Sequence, residues 1–192
     1  MSGKKEITAI ILAGGKSTRM GEDKGLIHFN GNPLVQYVIE AAKKITARII
    51  IVTSNSGYKQ FGCDCIEDEL KDKGPLAGIY TGLHHSGTQK NLLLGCDMPF
   101  LSETLLNSLV NNCGTEDVLL TGHKGLAEPL CSVYDKNCIV HIRSVIEINQ
   151  LKITDALAGL NTRVISFDTE DWFRGNEFAN INTIEELNKY KL

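Results

Sequence analysis

Asp97 closes the apolar run NLLLGCD at residues 91–97, and a second apolar run, Ile7–Leu12, opens into Ala13-Gly14-Gly15-Lys16. A carboxylate at the end of a buried strand suits a Mg2+ ion that bridges phosphate oxygens. Its structural use would be to cap the helix after Pro99, but Ser102 already supplies that cap. Two glycines directly after a strand leave backbone N–H groups open to an anion or a base edge. Lys16, Arg19 and Lys24 follow, three cations able to surround a polyphosphate with charge-assisted hydrogen bonds. The plain alternative is a solvated turn that happens to carry lysines.

The letters GKST within LAGGKSTRMGEDK suggest a phosphate-binding P-loop, but the spacing excludes it. A P-loop requires glycine five residues before Gly15, where Ile10 sits inside the apolar run. Gly14-Gly15-Lys16-Ser17-Thr18 also lacks the G-x-G-x-x-G spacing of a dinucleotide fingerprint. The loop therefore implies a different way of holding a nucleotide.

These residues need elements to position them. Residues 7–12, 48–53 (RIIIVT) and 91–97 are short, nearly continuous apolar runs, as expected of strands covered on both faces. Further strands are expected at 117–121, 130–134 and 163–167. Asn32-Pro33 reads as an N-cap and first helical position, with Leu34, Val38, Ile39 and Ala42 at helical spacing. Gly74-Pro75 introduces a short helix through Leu83, Ser102 opens another, and residues 136–148 carry helical periodicity. Thr183 and Glu186 form a capping box for a last helix. Strands alternating with helices predict a single-domain, three-layer α/β/α unit over residues 1–192, with a mostly parallel, Rossmann-like sheet. In such sheets ligands bind beyond the carboxyl ends of the strands. Residues 13–24, 54–55 and 97–99 should therefore face one crevice.

Composition narrows the function classes. The chain has 192 residues, 42% hydrophobic and 22% charged, enough for one sizeable core. A net charge of −3 gives no general attraction to nucleic acid or to an anionic membrane. No apolar run approaches the roughly 18 residues of a membrane span, and Lys4 and Lys5 precede a strand rather than a cleavable leader. The six cysteines never form C-x-x-C and read as reduced thiols of a cytoplasmic protein. Cys63-Asp64-Cys65 and the His84-His85 pair fit no common zinc template. His28, His123 and His141 stand alone and read as surface or partly buried side chains, while Trp172 and Phe173 read as a cover over the last strand.

LAGGKSTRMGEDK resembles the signature of the molybdenum cofactor guanylyltransferase (MobA) family, nucleotidyltransferases with the glycosyltransferase-A-like fold of nucleotide-diphospho-sugar transferases. The resemblance continues in Cys65-Ile66-Glu67-Asp68, Gly74-Pro75-Leu76-Ala77-Gly78, Cys96-Asp97-Met98-Pro99-Phe100 and the segment FANINT at 178–183. It implies a Mg2+-dependent transfer of GMP from GTP to the terminal phosphate of molybdopterin, with release of pyrophosphate. It places Leu12, Ala13, Gly14 and Gly15 around guanine and phosphates, with Gly74 and residues 53–55 also on the nucleotide. Asp68 would bind the guanosine, Lys16, Arg19 and Lys24 the phosphates, Asp97 the Mg2+, and Asn180 and Asn182 the acceptor. Arg19, Lys24 and Asp97 carry the catalysis in this scheme.

Relatives that use CTP carry alanine where this chain has Gly14, which favours GTP. Many relatives also have a basic acceptor-binding segment near residues 145–155, where this chain offers only Arg143 and Lys152. The family further implies transient contacts with other cofactor-synthesis proteins and acceptor enzymes. A CTP-dependent transferase, one acting on another phosphorylated acceptor, and a non-catalytic nucleotide-binding accessory protein remain the alternatives.

Overall fold

The computed structural model describes residues 6–14, 23–181, 186 and 190. In chain order the strands and α-helices are β1 (Ile7–Leu12), β2 (His28–Phe29), β3 (Asn32–Pro33), α1 (Leu34–Ile45), β4 (Ile49–Val52), β5 (Asp64–Ile66), α2 (Pro75–His85), β6 (Lys90–Gly95), α3 (Glu103–Asn112), β7 (Val118–His123), β8 (Leu126–Asp135), α4 (Cys138–Glu147), α5 (Ile153–Leu157) and β9 (Thr162–Ser166). Short 3-10 turns occupy Lys24–Leu26, Ser56–Phe61 and Asn176–Phe178. The expected capping box at Thr183 and most of the last helix lie outside the described residues, as do Lys4 and Lys5.

Among the described residues seven strands form one sheet in the order β5-β4-β1-β6-β8-β7-β9. β1 pairs in parallel with β4 on one side and β6 on the other, and β7 pairs in parallel with β9. β8 is the exception, antiparallel to both β6 and β7. The chain leaves β1 towards β4 and β5, then returns through α2 to β6 on the opposite flank. That reversal opens a crevice beyond the carboxyl ends of β1, β4 and β6, where α/β sheets bind ligands.

Alternation along the strands builds the layers. Ala9 and Ile11 of β1, Ile49 and Ile51 of β4, and Leu92 and Leu94 of β6 pack with Val38 and Ile39 of α1 and Leu105 and Leu109 of α3. Ile10, Ile50, Val52 and Leu93 point the other way, onto Ile79 and Leu83 of α2 and Ile142 and Val145 of α4. Both faces are thus apolar, which is why these strands read as unbroken hydrophobic runs. Each of the valine, leucine and isoleucine side chains among these, fully buried, contributes about 1.5–3 kcal/mol of transfer free energy.

Gly82 permits the close approach of α2 to β1, since a Cβ there would overlap Ile10. Ser102 caps α3 as expected, its hydroxyl accepting from the N–H of Leu105 at 3.1 Å. The start of α1 differs from expectation. Pro33 has extended φ and ψ and is itself the cap, without a side-chain cap bond, while Asn32 pairs with Phe29 across the β2–β3 ribbon. The helix therefore begins one residue later, at Leu34.

Candidate active site

Main-chain hydrogen bonds clamp the crevice floor. The N–H of Ala13 donates to Val52 O at 3.0 Å and that of Cys96 to Leu12 O at 3.1 Å, tying together the ends of β1, β4 and β6. Beside this floor, Asp68 follows β5. Its Oδ1 is buried and has no hydrogen-bond partner among the described residues. Burial, reinforced by the neighbouring charge of Glu67, raises its carboxyl above the ordinary range. A buried carboxylate oxygen left unsatisfied is costly, so Oδ1 has the capacity to accept from a donor outside the chain. A Cβ on Gly14 would lie 3.8 Å from Asp68 Oδ2 and 3.9 Å from Val52 O, and one on Gly78 would lie 3.6 Å from Asp68 Oδ1. These two glycines leave the space over the carboxylate clear.

Lys24 is held by its neighbour. Asp23 caps the turn Lys24–Leu26 by accepting from the N–H of Gly25 at 3.2 Å. The same carboxylate accepts from Asn55 Nδ2 at 3.1 Å and from the hydroxyl of fully buried Tyr58. Burial pushes the Tyr58 phenol far up, with the nearby Cys96 and Asp23 adding to it, so it serves only as a donor. Asn55 also accepts from the N–H of Gly57 at 2.9 Å. Its amide thus fixes Asp23, and through it the base of Lys24.

Across the crevice, Lys24 Nζ lies 3.6 Å from Asp97 Oδ2, with both side chains mostly buried. Burial pushes the Asp97 carboxyl up, Lys24 opposes that, and the charge of Glu186 adds to it. Glu128 is raised by burial first and also by the charge of Asp97; the bonds from Leu130 N–H and Asn180 work against this. Glu128 owes its aim to an irregularity. Between Leu120 and Thr121 the β7–β8 register jumps from Ser132 to Glu128, and the Glu128 carboxylate accepts from the N–H of Leu130 at 3.0 Å. Bulges re-aim side chains beside functional sites in this way. Asn180 Nδ2 reaches Glu128 Oε2 at 3.4 Å, and the N–H of Ile181 donates to Asp97 O at 3.0 Å, which docks the C-terminal segment on the same rim.

Of the residues picked out by sequence, Leu12, Ala13, Gly14, Asp68, Lys24, Asp97 and Asn180 line this one crevice end. Gly15, Lys16, Arg19 and Asn182 lie outside the described residues. Gly74 caps α2 with φ +65°, a backbone reason for glycine independent of any ligand. Arg143 is engaged away from the crevice, with Glu147 at 3.0 Å and the Tyr80 hydroxyl at 3.2 Å. His123 bonds Asp168 and His141 bonds Ala156 O, both structural uses, and Trp172 and Phe173 pack on Phe167 and the core beneath it.

Asp23, Tyr58 and Glu128 were not legible as site residues. Asp23 stands between charged neighbours in GEDK, and Glu128 is brought in by an antiparallel strand whose place in the sheet no local pattern reveals.

Reversal of strand order at β1, a carboxylate beneath Gly14 and a lysine–aspartate pair across the crevice define an α/β nucleotidyltransferase. A family model described as the MobA-like NTP transferase domain matches residues 9–161, and the chain belongs to that family. It is 38% identical to a Flavobacterium johnsoniae protein named probable molybdenum cofactor guanylyltransferase, over 95% of each chain. It is 33% identical to the molybdenum cofactor guanylyltransferase of Vibrio parahaemolyticus, covering 94% of this chain and 93% of that one. Among solved structures, molybdopterin-guanine dinucleotide biosynthesis protein A from Archaeoglobus fulgidus superposes with TM-score 0.79 at 25% identity over 95% of each chain. An Anaerococcus prevotii 4-diphosphocytidyl-2C-methyl-D-erythritol synthase shares the fold at TM-score 0.70 and 14% identity, over 97% of this chain and 96% of that one.

Proposed function

We propose that this chain transfers GMP from GTP to the terminal phosphate of molybdopterin, releasing pyrophosphate. The observation that carries this reading is the pair of opposed features across one crevice: the unsatisfied Asp68 carboxylate under Gly14, and the Lys24–Asp97 pair facing it. A carboxylate accepts hydrogen bonds only, so it selects a base edge made of donors. Guanine presents such an edge in its ring N–H and amino group, and cytosine does not present two adjacent donors. The bare Gly14 leaves the larger base its room.

In the reaction a phosphate oxygen of the acceptor forms a bond to the α-phosphorus while the bond from that phosphorus to the bridging oxygen of the pyrophosphate breaks. A phosphate monoester is already a nucleophile near neutral pH, so no general base is required. The difficulty is the approach of two anions. Lys24, fixed at its base by Asp23, offers a preorganised positive charge for the triphosphate, and Lys16 and Arg19 extend that role from the glycine loop. Asn180, held beside Glu128, is assigned to the acceptor, and Asn182 takes the same role in this reading.

The donor set fits Mg2+. Asp97 is a mostly buried carboxylate with a second carboxylate, Glu128, in electrostatic reach, and among the described residues the two belong to no three-ligand cage. Magnesium is commonly held by one or two carboxylates and completed by substrate phosphates and water. Asp97 would hold it, and when bound it supplies charge stabilisation at the α-phosphoryl and the leaving pyrophosphate. Among the described residues no helix is long and apolar enough to cross a membrane, and all six cysteines are thiols; we assign the protein to the cytoplasm.

Pyrophosphate release from GTP and from CTP, each with and without molybdopterin, tests the reading. Acceptor-dependent release is expected from GTP, with CTP used far more slowly. Equal use of CTP, or release only with another phosphorylated acceptor, contradicts the substrate assignment, and no release with any acceptor points to an accessory protein.

A further inference from the structure

The segment after Asp68 and the last turn of α2 converge on a cluster that nucleotidyl transfer does not use. Glu69 has its backbone fixed by α2, its N–H donating to the hydroxyl of buried Thr81 at 3.1 Å. Its Oε1 lies 2.8 Å from Nδ1 of His84 and 2.8 Å from Nε2 of His85, and Oε2 lies 3.0 Å from His84 Nδ1. One donor atom from each of the three residues lies within 4.8 Å of the other two. Successive residues on an α-helix point about 100° apart, so adjacent histidines ordinarily diverge. Here they meet because His84 offers its near nitrogen and His85 its far one, at the point where α2 ends. Tyr80, one turn earlier, packs its ring 5.8 Å from that of His84 and limits where the imidazole can go.

Without a metal, two imidazoles must present N–H groups to a single carboxylate oxygen. A divalent ion in place of those protons would engage one lone pair from each of the three residues at once. Two imidazoles and a carboxylate are the donors of zinc sites with an open position, whereas Mg2+ prefers oxygen ligands. The cysteines noted in the sequence take no part: Cys63 and Cys65 turn their thiols to backbone carbonyls, although Cys63 borders the same cleft as His85.

We propose that Glu69, His84 and His85 form a surface site for one zinc ion, with water completing its coordination. The side chains are 32%, 53% and 42% exposed, so the ion enters from solvent without any opening of the fold. Glu69 is the residue next to Asp68, and an ion shared with His84 and His85 fastens the end of α2 to the segment that carries the proposed guanine contact.

The test is zinc titration of the full chain, stripped with chelator, in excess Mg2+, by calorimetry and by metal analysis after dialysis. One equivalent is expected, with a rise in melting temperature on loading. Glu69→Gln and the double change His84→Ala with His85→Ala should each weaken binding by at least about 10-fold, since loss of even outer partners of a metal costs roughly 10–100-fold. Cys63→Ser with Cys65→Ser should leave it unchanged. The side chains are solvent-facing, so zinc-free melting close to wild type is expected for the variants. Binding that survives both the Glu69 and the histidine changes, binding lost in the cysteine variant, or no stoichiometric binding to the wild type overturns the proposal.

Discussion

Gly14→Ala separates a glycine needed by the backbone from one needed by a ligand. Gly14 is not among the residues at positive φ, and a Cβ there meets Asp68 Oδ2 and Val52 O only at 3.8 and 3.9 Å. The folded chain therefore accepts the methyl without strain, while the unfolded chain loses freedom. Stability should rise by about 0.4–1 kcal/mol. The methyl projects into the space between the loop and the Asp68 carboxylate, where the proposed guanine edge must lie. Forcing an extra methyl into a fitted contact costs about 1–3 kcal/mol. At tenfold per 1.4 kcal/mol, that is a loss of roughly 5–150-fold in kcat/KM for GTP. CTP, with a smaller base, should lose less, so the GTP-to-CTP ratio falls. The assay is acceptor-dependent pyrophosphate release with each nucleotide, paired with a thermal melt. A variant that melts at or above wild type yet keeps GTP kcat/KM within twofold refutes the assignment of guanine to this space.

Three further substitutions probe the same site and its frame. Asp97→Asn should leave the melt near wild type and lower turnover on the order of 100-fold or more, comparable to losing a key electrostatic group; activity within a few-fold would remove Asp97 from the reaction. Asp68 has its carboxyl raised by burial and by Glu67, so the stability tied to its protonated form is present below the unfolded pKa and lost as pH rises through the folded one. Asp68→Asn should therefore melt higher than wild type at neutral pH, with the difference closing below about pH 3.9, while GTP binding weakens; stronger GTP binding would contradict the role. Asp168 is the opposite case, held low by His123 at 2.6 Å and by the N–H of Lys124 at 2.9 Å. Its contribution is present above the ordinary carboxylate pKa and lost as pH falls through the lower folded value. Asp168→Asn should accordingly lower the melting temperature at pH 7, the gap closing only below about pH 3.9, and a gap unchanged in acid would refute the pairing.

What the sequence made legible follows from which forces act locally. β1, β4 and β6 were readable because burial on both faces leaves no polar alternation to obscure them. The Ser102 cap was readable because its bond is made within one turn. β5 was not, since Asp64, Cys65 and Ile66 form a three-residue edge strand with little apolar content, and the two-residue strands β2 and β3 give no period at all. Pro33 caps α1 rather than opening it, although a proline suits both positions, and its pairing with His28 decides between them. In the site, Asp68, Lys24 and Asp97 stood out through their motifs. Asp23 and Glu128 act through contacts made by distant parts of the chain, the first with Tyr58 and the second with Asn180, and these depend on strand order and on a register shift in β8.

The most direct test of the central claim is single-turnover analysis of the purified chain with GTP, Mg2+ and molybdopterin, reading pyrophosphate and the guanine dinucleotide product together. Stoichiometric formation of both is expected, dependent on molybdopterin, with no comparable reaction from CTP. Pyrophosphate formed from CTP at an equal rate, or no product from GTP despite folded protein and bound nucleotide, would contradict it.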